Sequence, residues 1–151
     1  MNIFHLVKWK NLFEINSFNR EIVYPIHPRT RKRLQQYSIT IDEEKVKVVD
    51  PVDYLTFLKL ESRAQLILTD SGGVQEEACI LKVPCVTLRD NTERPETIQV
   101  GANTLAGTKP DEILKKVNIM LNKKNSWKNP FGDGNAAKKI VEILKKKVKE
   151  E

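Results

Sequence analysis

Short apolar runs alternate with helical patterns along this chain, and that alternation restricts the fold more than any other feature. The predicted strands span residues 21–26, 45–49, 66–69, 85–88 and 103–106. The predicted helices span residues 2–15, 28–37, 53–62, 74–81, 95–100, 110–122 and 135–149. Strands joined by helices through short links predict an α/β fold, a Rossmann-like parallel sheet with helices on both faces. Ligands of such sheets bind beyond the carboxyl ends of the strands.

Composition narrows the class of protein. A chain of 151 residues that is 40% hydrophobic and 30% charged is typical of one soluble globular domain. No apolar run approaches the roughly 18 residues of a membrane span, and the amino terminus does not read as a signal peptide. Cys79 and Cys85 form no CxxC pair, and His5 and His27 are the only histidines, so we expect no metal site. Two buried thiols in a reducing, cytoplasmic setting are the simpler interpretation.

The net charge of +6 lies entirely in the carboxyl-terminal region. Residues 1–108 hold 14 basic and 14 acidic side chains, whereas residues 109–151 hold 12 lysines and 6 acids. The last predicted helix has an apolar stripe opposite its lysines, formed by Ile140, Val141, Ile143, Leu144 and Val148. No aromatic residue follows Phe131 and no arginine follows Arg94, so solvated helix faces are favoured over a nucleic-acid surface.

One strand-to-helix connection has the composition of an anion site. The segment TDSGG, residues 69–73, leaves a buried strand and enters a helix whose first amides lack intrahelical partners. Such amides hold phosphate oxygens, and the glycines allow close approach of the backbone or a positive φ. The segment is neither GxGxxG nor a Walker loop, so a simple tight turn remains an equal alternative.

Charged residues surround that connection. Glu76 and Glu77 are adjacent, so on a helix they point about 100° apart and cannot both face one ligand atom. One of them can accept hydrogen bonds from a ribose diol, and acids near a helix start are also favoured by its dipole. Arg89 and Arg94 are natural counter-charges for a diphosphate. Their alternative is a surface ion-pair cluster with the nearby acids Asp90, Glu93 and Glu96.

Three segments together carry a family resemblance. The block LTDSGGVQEEACILKVPCVTLRDNTERPETIQVGANTLAG (68–107), with YPIHPRTRKRL (24–34) and VVDPVDYLTFLKL (48–60), resembles the non-hydrolysing UDP-N-acetylglucosamine 2-epimerases in order and spacing. The similarity covers about residues 15–145, and residues 1–14 read as a partial, diverged helix. That family has two Rossmann-like domains facing across a cleft, the glycosyltransferase-B arrangement. This chain resembles only the carboxyl-terminal, nucleotide-binding domain, and we expect residues 1–151 to form one such domain.

The resemblance implies a UDP site on seven residues. Ser71, Gly72 and Gly73 would hold the diphosphate and Arg94 would contact the phosphates, while Glu77 would bind the ribose hydroxyls. Phe57 would pack on the uracil ring, whose edge the backbone near Val52 would read; ordinary helix core is the alternative for Phe57. His27 is assigned a structural role. No catalytic residue, metal or cofactor is assigned.

The family reaction resembles an elimination of UDP to a glycal followed by re-addition with inversion at C2. Its acid and base carboxylates belong to the amino-terminal domain, and the resemblance implies that this chain begins after the motif that opens the carboxyl-terminal half. We therefore expect binding of UDP or a UDP-N-acetylhexosamine without catalysis by the chain alone. The alternatives are a non-catalytic or regulatory partner of a full-length epimerase or of a separate amino-terminal half, and an inactive gene remnant. Neither a membrane nor a specific nucleic acid is expected as a partner.

Overall fold

The computed structural model describes residues 21–150, with side chains described to residue 147, so the predicted helix at 2–15 lies outside the described residues. The strands are β1 Ile22–Pro25, β2 Val46–Val49, β3 Ile67–Thr69, β4 Cys85–Thr87 and β5 Asn103–Leu105. The helices are α1 Pro28–Gln36, α2 Tyr54–Arg63, α3 Gly72–Ile80, α4 Pro95–Gln99, α5 Pro110–Leu121 and α6 Ala136–Glu150. Each of these elements coincides with a predicted one to within about two residues.

All strand pairs in the described chain are parallel, which confirms the predicted α/β class. Ile22 pairs with Val46 in one sheet, β1–β2, and Cys85 pairs with both Ile67 and Asn103 in a second sheet, β3–β4–β5. The strands form two hydrogen-bonded groups, because β1 and β3 are not hydrogen-bonded to each other. A cavity of about 1000 Å³ lies between them, with residues of both strands in its wall.

The largest cluster of buried apolar side chains lies between β4 and α5. Its fully buried members are Val86, Leu88, Ala106, Ile113, Val117 and Met120. The three residues from α5 are spaced by four and three positions, which places them on one face of the helix. Around β1 and β2 the buried cluster is smaller, consisting of Ile26 and Leu34 with partly buried neighbours.

The turn-rich segment 127–135 contributes packing to the core. Trp127 is buried against Cys79 and Ala102, and its indole Nε1 donates to the Cys79 carbonyl at 2.9 Å. Cys79 and Cys85 are both free and buried, as predicted. Burial raises the pKa of the Cys85 thiol to about 12, which keeps it protonated at physiological pH.

Polar side chains begin the two helices that follow β1 and β2. His27 is the N-cap of α1, where its Nδ1 accepts from the Arg29 amide at 3.2 Å, so its predicted structural role is confirmed. Asp53 is the N-cap of α2 and accepts from the Thr56 amide at 3.1 Å. Both caps fix the direction in which the chain leaves the strand ends.

The last helix, α6, keeps its apolar stripe in contact with solvent. Ile140, Val141, Ile143 and Leu144 are between 48% and 57% exposed. The fifth stripe residue, Val148, lies beyond the described side chains. Among the described helices, none is long and apolar enough to cross a bilayer.

Candidate functional site

The segment Ser71–Gly73 forms the start of α3. Ser71 is the N-cap, but its side chain makes no capping hydrogen bond, and its own amide donates to Thr69 Oγ1 at 3.0 Å. The helix begins at Gly72, two residues earlier than predicted. Its first amides have no intrahelical partners, because no residue four positions earlier is helical. The start of α3 is therefore an uncapped helix amino terminus, with the partial positive charge that attracts anions.

The two glycines do not form the tight turn that the sequence left open. They occupy the first two positions of α3, and neither is among the described glycines with a positive φ. A Cβ at Gly72 would lie 3.9 Å from Arg94 Cζ and 3.8 Å from Glu93 Oε2, which is ordinary contact distance. A side chain at Gly72 would therefore meet no steric clash within the described residues.

Arg94 lies beside this helix start and is paired with an acid. Its guanidinium forms an ion pair with Glu76, although the Nε–H does not point at the carboxylate, and Nη1 donates to the Glu93 carbonyl at 3.0 Å. The interpretation of Glu76 as a helix-start acid is wrong. Because α3 begins at Gly72, Glu76 lies in the second turn and faces Arg94 instead.

Arg89 has a different environment from Arg94. Its two Nη atoms donate to the two oxygens of Glu93 at 3.1 and 2.7 Å, and Nη2 also donates to Asn91 Oδ1 at 3.1 Å. The hydrogen bonds from Arg89 hold the pKa of the Glu93 carboxyl below its usual range. For Arg89, the ion-pair alternative is the one that the structure supports.

A buried polar network that the sequence did not predict underlies the Arg94 loop. Asn103 Nδ2 donates to Gln75 Oε1 at 3.2 Å and to Thr97 Oγ1 at 3.1 Å. Asn103 Oδ1 accepts from Thr87 Oγ1 at 2.9 Å. All four side chains are buried, so the network joins β4, β5, α3 and α4 without contact with solvent.

The network extends to the backbone of Arg94. Thr92 Oγ1 donates to Gln75 Oε1 and accepts from the Arg94 amide at 3.0 Å, while Thr97 Oγ1 donates to the Arg94 carbonyl at 2.7 Å. Both backbone groups of Arg94 are therefore held by side chains anchored below. Two positions in the sequence could have indicated this network. Gln75 is the fourth residue of α3 and Asn103 is the first residue of β5, and both positions face the interior.

Glu77 lies on the side of α3 that faces α2. The negative charge of its carboxylate raises the pKa of Tyr54, whose phenol donates a hydrogen bond to it. Glu61, one α2 residue whose role was not predicted, is only 4% exposed. Burial, with a smaller contribution from the Glu77 charge, raises the pKa of Glu61 to about 7.

Phe57 lies on α2, and Val52 lies in the connection that precedes it. Phe57, half-buried in α2, shares the cavity wall with Asp70 and Val74. Val52 is half-buried in the connection between β2 and α2. The structure thus brings the start of α3 together with Arg94. It places Glu77 on the side of α3 that faces α2, and Phe57 on α2 itself. In the described residues there is no cluster of three potential metal ligands.

Comparison with known proteins identifies what this arrangement is similar to. The family model described as UDP-N-acetylglucosamine 2-epimerase matches residues 8–145. The UDP-N-acetylglucosamine 2-epimerase of Methanocaldococcus jannaschii is 54% identical over 151 residues, covering 95% of this chain and 41% of the relative. The enzyme of the same name from Methanococcus maripaludis is 55% identical over 131 residues, covering 85% of this chain and 36% of the relative.

A crystal structure of the Methanocaldococcus jannaschii enzyme, in complex with UDP-GlcNAc and UDP, superposes with a TM-score of 0.88 at 54% identity. The match covers 95% of this chain and 41% of that chain. This chain therefore spans about two-fifths of the length of the relatives that it matches.

Proposed function

We propose that this chain binds the UDP part of a UDP-N-acetylhexosamine. The premise is its family, because the chain belongs to the UDP-N-acetylglucosamine 2-epimerases. The observation that carries the proposal is the uncapped start of α3 with the Arg94 guanidinium beside it. A solved relative at 54% identity was crystallised with UDP-GlcNAc and UDP, which supports a ligand of this class.

The diphosphate end of the ligand would lie at Ser71, Gly72 and Gly73. Backbone amides there donate to phosphate oxygens, the Ser71 hydroxyl is free to add a donor, and the absence of side chains at the glycines lets the anion approach. Arg94 would exchange its ion pair with Glu76 for a charge-assisted contact with phosphate. The exchange costs little because both side chains are about one-third exposed.

The nucleoside end would extend toward α2. Glu77 accepts hydrogen bonds, so its carboxylate suits the two ribose hydroxyls. Phe57 offers an aromatic face to the uracil ring, and the backbone near Val52 offers donors and acceptors to its edge. The polarity along this line, from cationic to anionic to aromatic, follows the order of groups in UDP.

We propose that inversion at C2 of the sugar needs groups other than the seven residues named above. Inversion at C2 requires an acid and a base held on the sugar. The seven proposed contacts reach only diphosphate, ribose and base. We propose that the region that the longer relatives carry outside the matched segment, on the same or a separate chain, supplies those groups. Two buried thiols suit a reducing cytosolic setting, which we propose as the location.

Thermal stabilisation by UDP tests the binding proposal. A ligand at about 100 times its Kd adds about 2.7 kcal/mol, so millimolar UDP is expected to raise Tm by several degrees. Arg94→Ala is expected to remove most of that rise, because it deletes the cation at the diphosphate.

Arg31→Ala is the matched control. Arg31 is also an arginine in an ion pair, with Asp50 at 2.7 Å, and it lies on α1 outside the seven proposed contacts. The control is expected to keep the full UDP-dependent rise. The proposal fails if the unsubstituted chain shows no rise at millimolar UDP, or if both variants lose it equally.

A further inference from the structure

Glu61 is a buried carboxyl group that none of the proposed contacts to UDP uses. It lies in the last turns of α2 and is 4% exposed. Neither of its carboxylate oxygens has a hydrogen-bond partner among residues 21–147. Its side chain lines the largely apolar cavity between β1 and β3, together with Phe57 and Leu60. Such an environment opposes the charged form of a carboxyl group.

The position of Glu61 couples it to the proposed ribose contact. Glu61 follows Phe57 by four residues and Tyr54 by seven, so the three share one face of α2. That face is packed against α3, where Glu77 lies beside Tyr54. The negative charge of Glu77 disfavours the ionisation of Glu61.

We propose that Glu61 is a positioning residue that must be protonated for tight binding of the nucleotide, so that binding takes up a proton from solvent at this carboxyl group. The inference rests on the proposed UDP site. With Glu61 neutral, Glu77 accepts from the ribose hydroxyls without a second carboxylate charge on the adjacent face of α2. With Glu61 ionised, a second negative charge lies beside an incoming anionic ligand and weakens its binding.

The proton equilibrium falls in the physiological range. Burial and the Glu77 charge raise the pKa of Glu61 to about 7 in the free protein, and a nearby anionic ligand raises it further. Cys85 on β4 faces the same region but remains protonated, since its pKa is about 12. The other ionisable groups in the cavity wall are Glu21, Tyr24, His27, Arg29, Arg63 and Asp70. Comparison with a variant that lacks only the Glu61 charge removes their contribution.

Calorimetric titration of the full chain with UDP-N-acetylglucosamine at pH 6, 7 and 8 tests the inference. Both phosphates of this ligand are esterified, so the ligand itself does not change charge in that range. If binding raises the Glu61 pKa by one unit, Kd is expected to weaken about fivefold from pH 6 to pH 8. At pH 7 the observed binding enthalpy is expected to vary with the ionisation enthalpy of the buffer, and the slope is expected to correspond to net proton uptake.

Glu61→Gln keeps the shape of the side chain and cannot ionise, so its Kd is expected to lose that fivefold change and its proton uptake. Glu112→Gln, an exposed acid on α5, is the matched control and is expected to keep both. Should Glu61→Gln fail to fold, Glu61→Met suits the apolar cavity and serves the same purpose.

The two proposals fail in different ways. A wild-type pH profile that is unchanged in the uncharged Glu61 variants overturns the role of Glu61 and leaves the UDP site intact. Absence of binding by the wild-type chain at every pH overturns the UDP site itself, and the role of Glu61 with it.

Discussion

The sheet β3–β4–β5 and the sheet β1–β2 belong to the same chain but differ in how completely they are packed. The first buries six apolar residues in one cluster with α5 and holds the Asn103 network below the Arg94 loop. The second has a cluster of two buried residues, besides the buried Val46 on β2, and borders a cavity of about 1000 Å³. The proposed diphosphate contacts stand on the densely packed sheet, where charge geometry must be fixed. The proposed base contact and Glu61 stand at its border with the loosely packed one.

Matched truncations in the two clusters test this difference most strongly. Ile113→Ala removes a residue that is 1% exposed from the β4–α5 cluster, and is expected to lower the free energy of unfolding by about 4 kcal/mol. Leu34→Ala, in the smaller cluster, is expected to cost about 2 kcal/mol because its surroundings can close more easily around the cavity. Urea denaturation of both variants gives the values. Equal costs, or a larger cost for Leu34→Ala, would remove the contrast between the two sheets.

The free energy of unfolding is expected to depend on pH through Glu61, which lies at the border between the two sheets. The folded-state pKa of this acid is raised from 4.5 to about 7, so its neutral form is favoured by folding and the resulting stability is lost as pH rises between those values. Glu61→Gln is therefore expected to stabilise the protein at pH 8 by roughly 3 kcal/mol at most, and to have little effect at pH 4.

Thermal denaturation of wild type and Glu61→Gln between pH 4 and pH 8 measures this effect. A constant difference across the range would mean that Glu61 titrates as an ordinary exposed acid. The border would then be as well solvated as the rest of the surface.

The polar network of the dense sheet predicts a smaller effect. Asn103→Ala removes the acceptor of the buried Thr87 hydroxyl and one of the two donors to Gln75 Oε1, which is expected to cost about 1–3 kcal/mol. It is also expected to reduce the UDP-dependent rise in Tm, because the same network holds the backbone of Arg94.

Asn118→Ala, on the exposed side of α5, is the matched control and is expected to change stability by less than about 0.5 kcal/mol. If Asn103→Ala lowers stability but leaves the UDP effect intact, the network supports the fold without positioning Arg94.

The order of strands and helices could be predicted because each element carries its own local pattern. Asp53 lies directly before an amphipathic run, which is the sequence pattern of an N-cap. The division into two sheets could not be predicted, since pairing between β1 and β3 depends on contacts between residues about 45 positions apart, as Ile22 and Ile67 are. Local periodicity contains no information on such contacts.

The residues of the candidate site were easier to identify from the sequence than the interactions that they make. The role of Glu76 depended on where α3 begins, and a difference of two residues changed a dipole effect into an ion pair with Arg94. No role was predicted for Glu61. Its spacing of three from Leu58 and four from Phe57 was nevertheless a signal that it shares their face.

The half-exposed stripe of α6 has a consequence for how this helix is stabilised. A helix of 15 residues is marginal in water by itself, and most helices in proteins are stabilised by packing of the apolar face. In α6 that face, at Ile140, Val141, Ile143 and Leu144, remains about half accessible to solvent. The free energy that orders α6 is therefore linked by mass action to whatever surface covers the stripe, so its helical content becomes a measure of association.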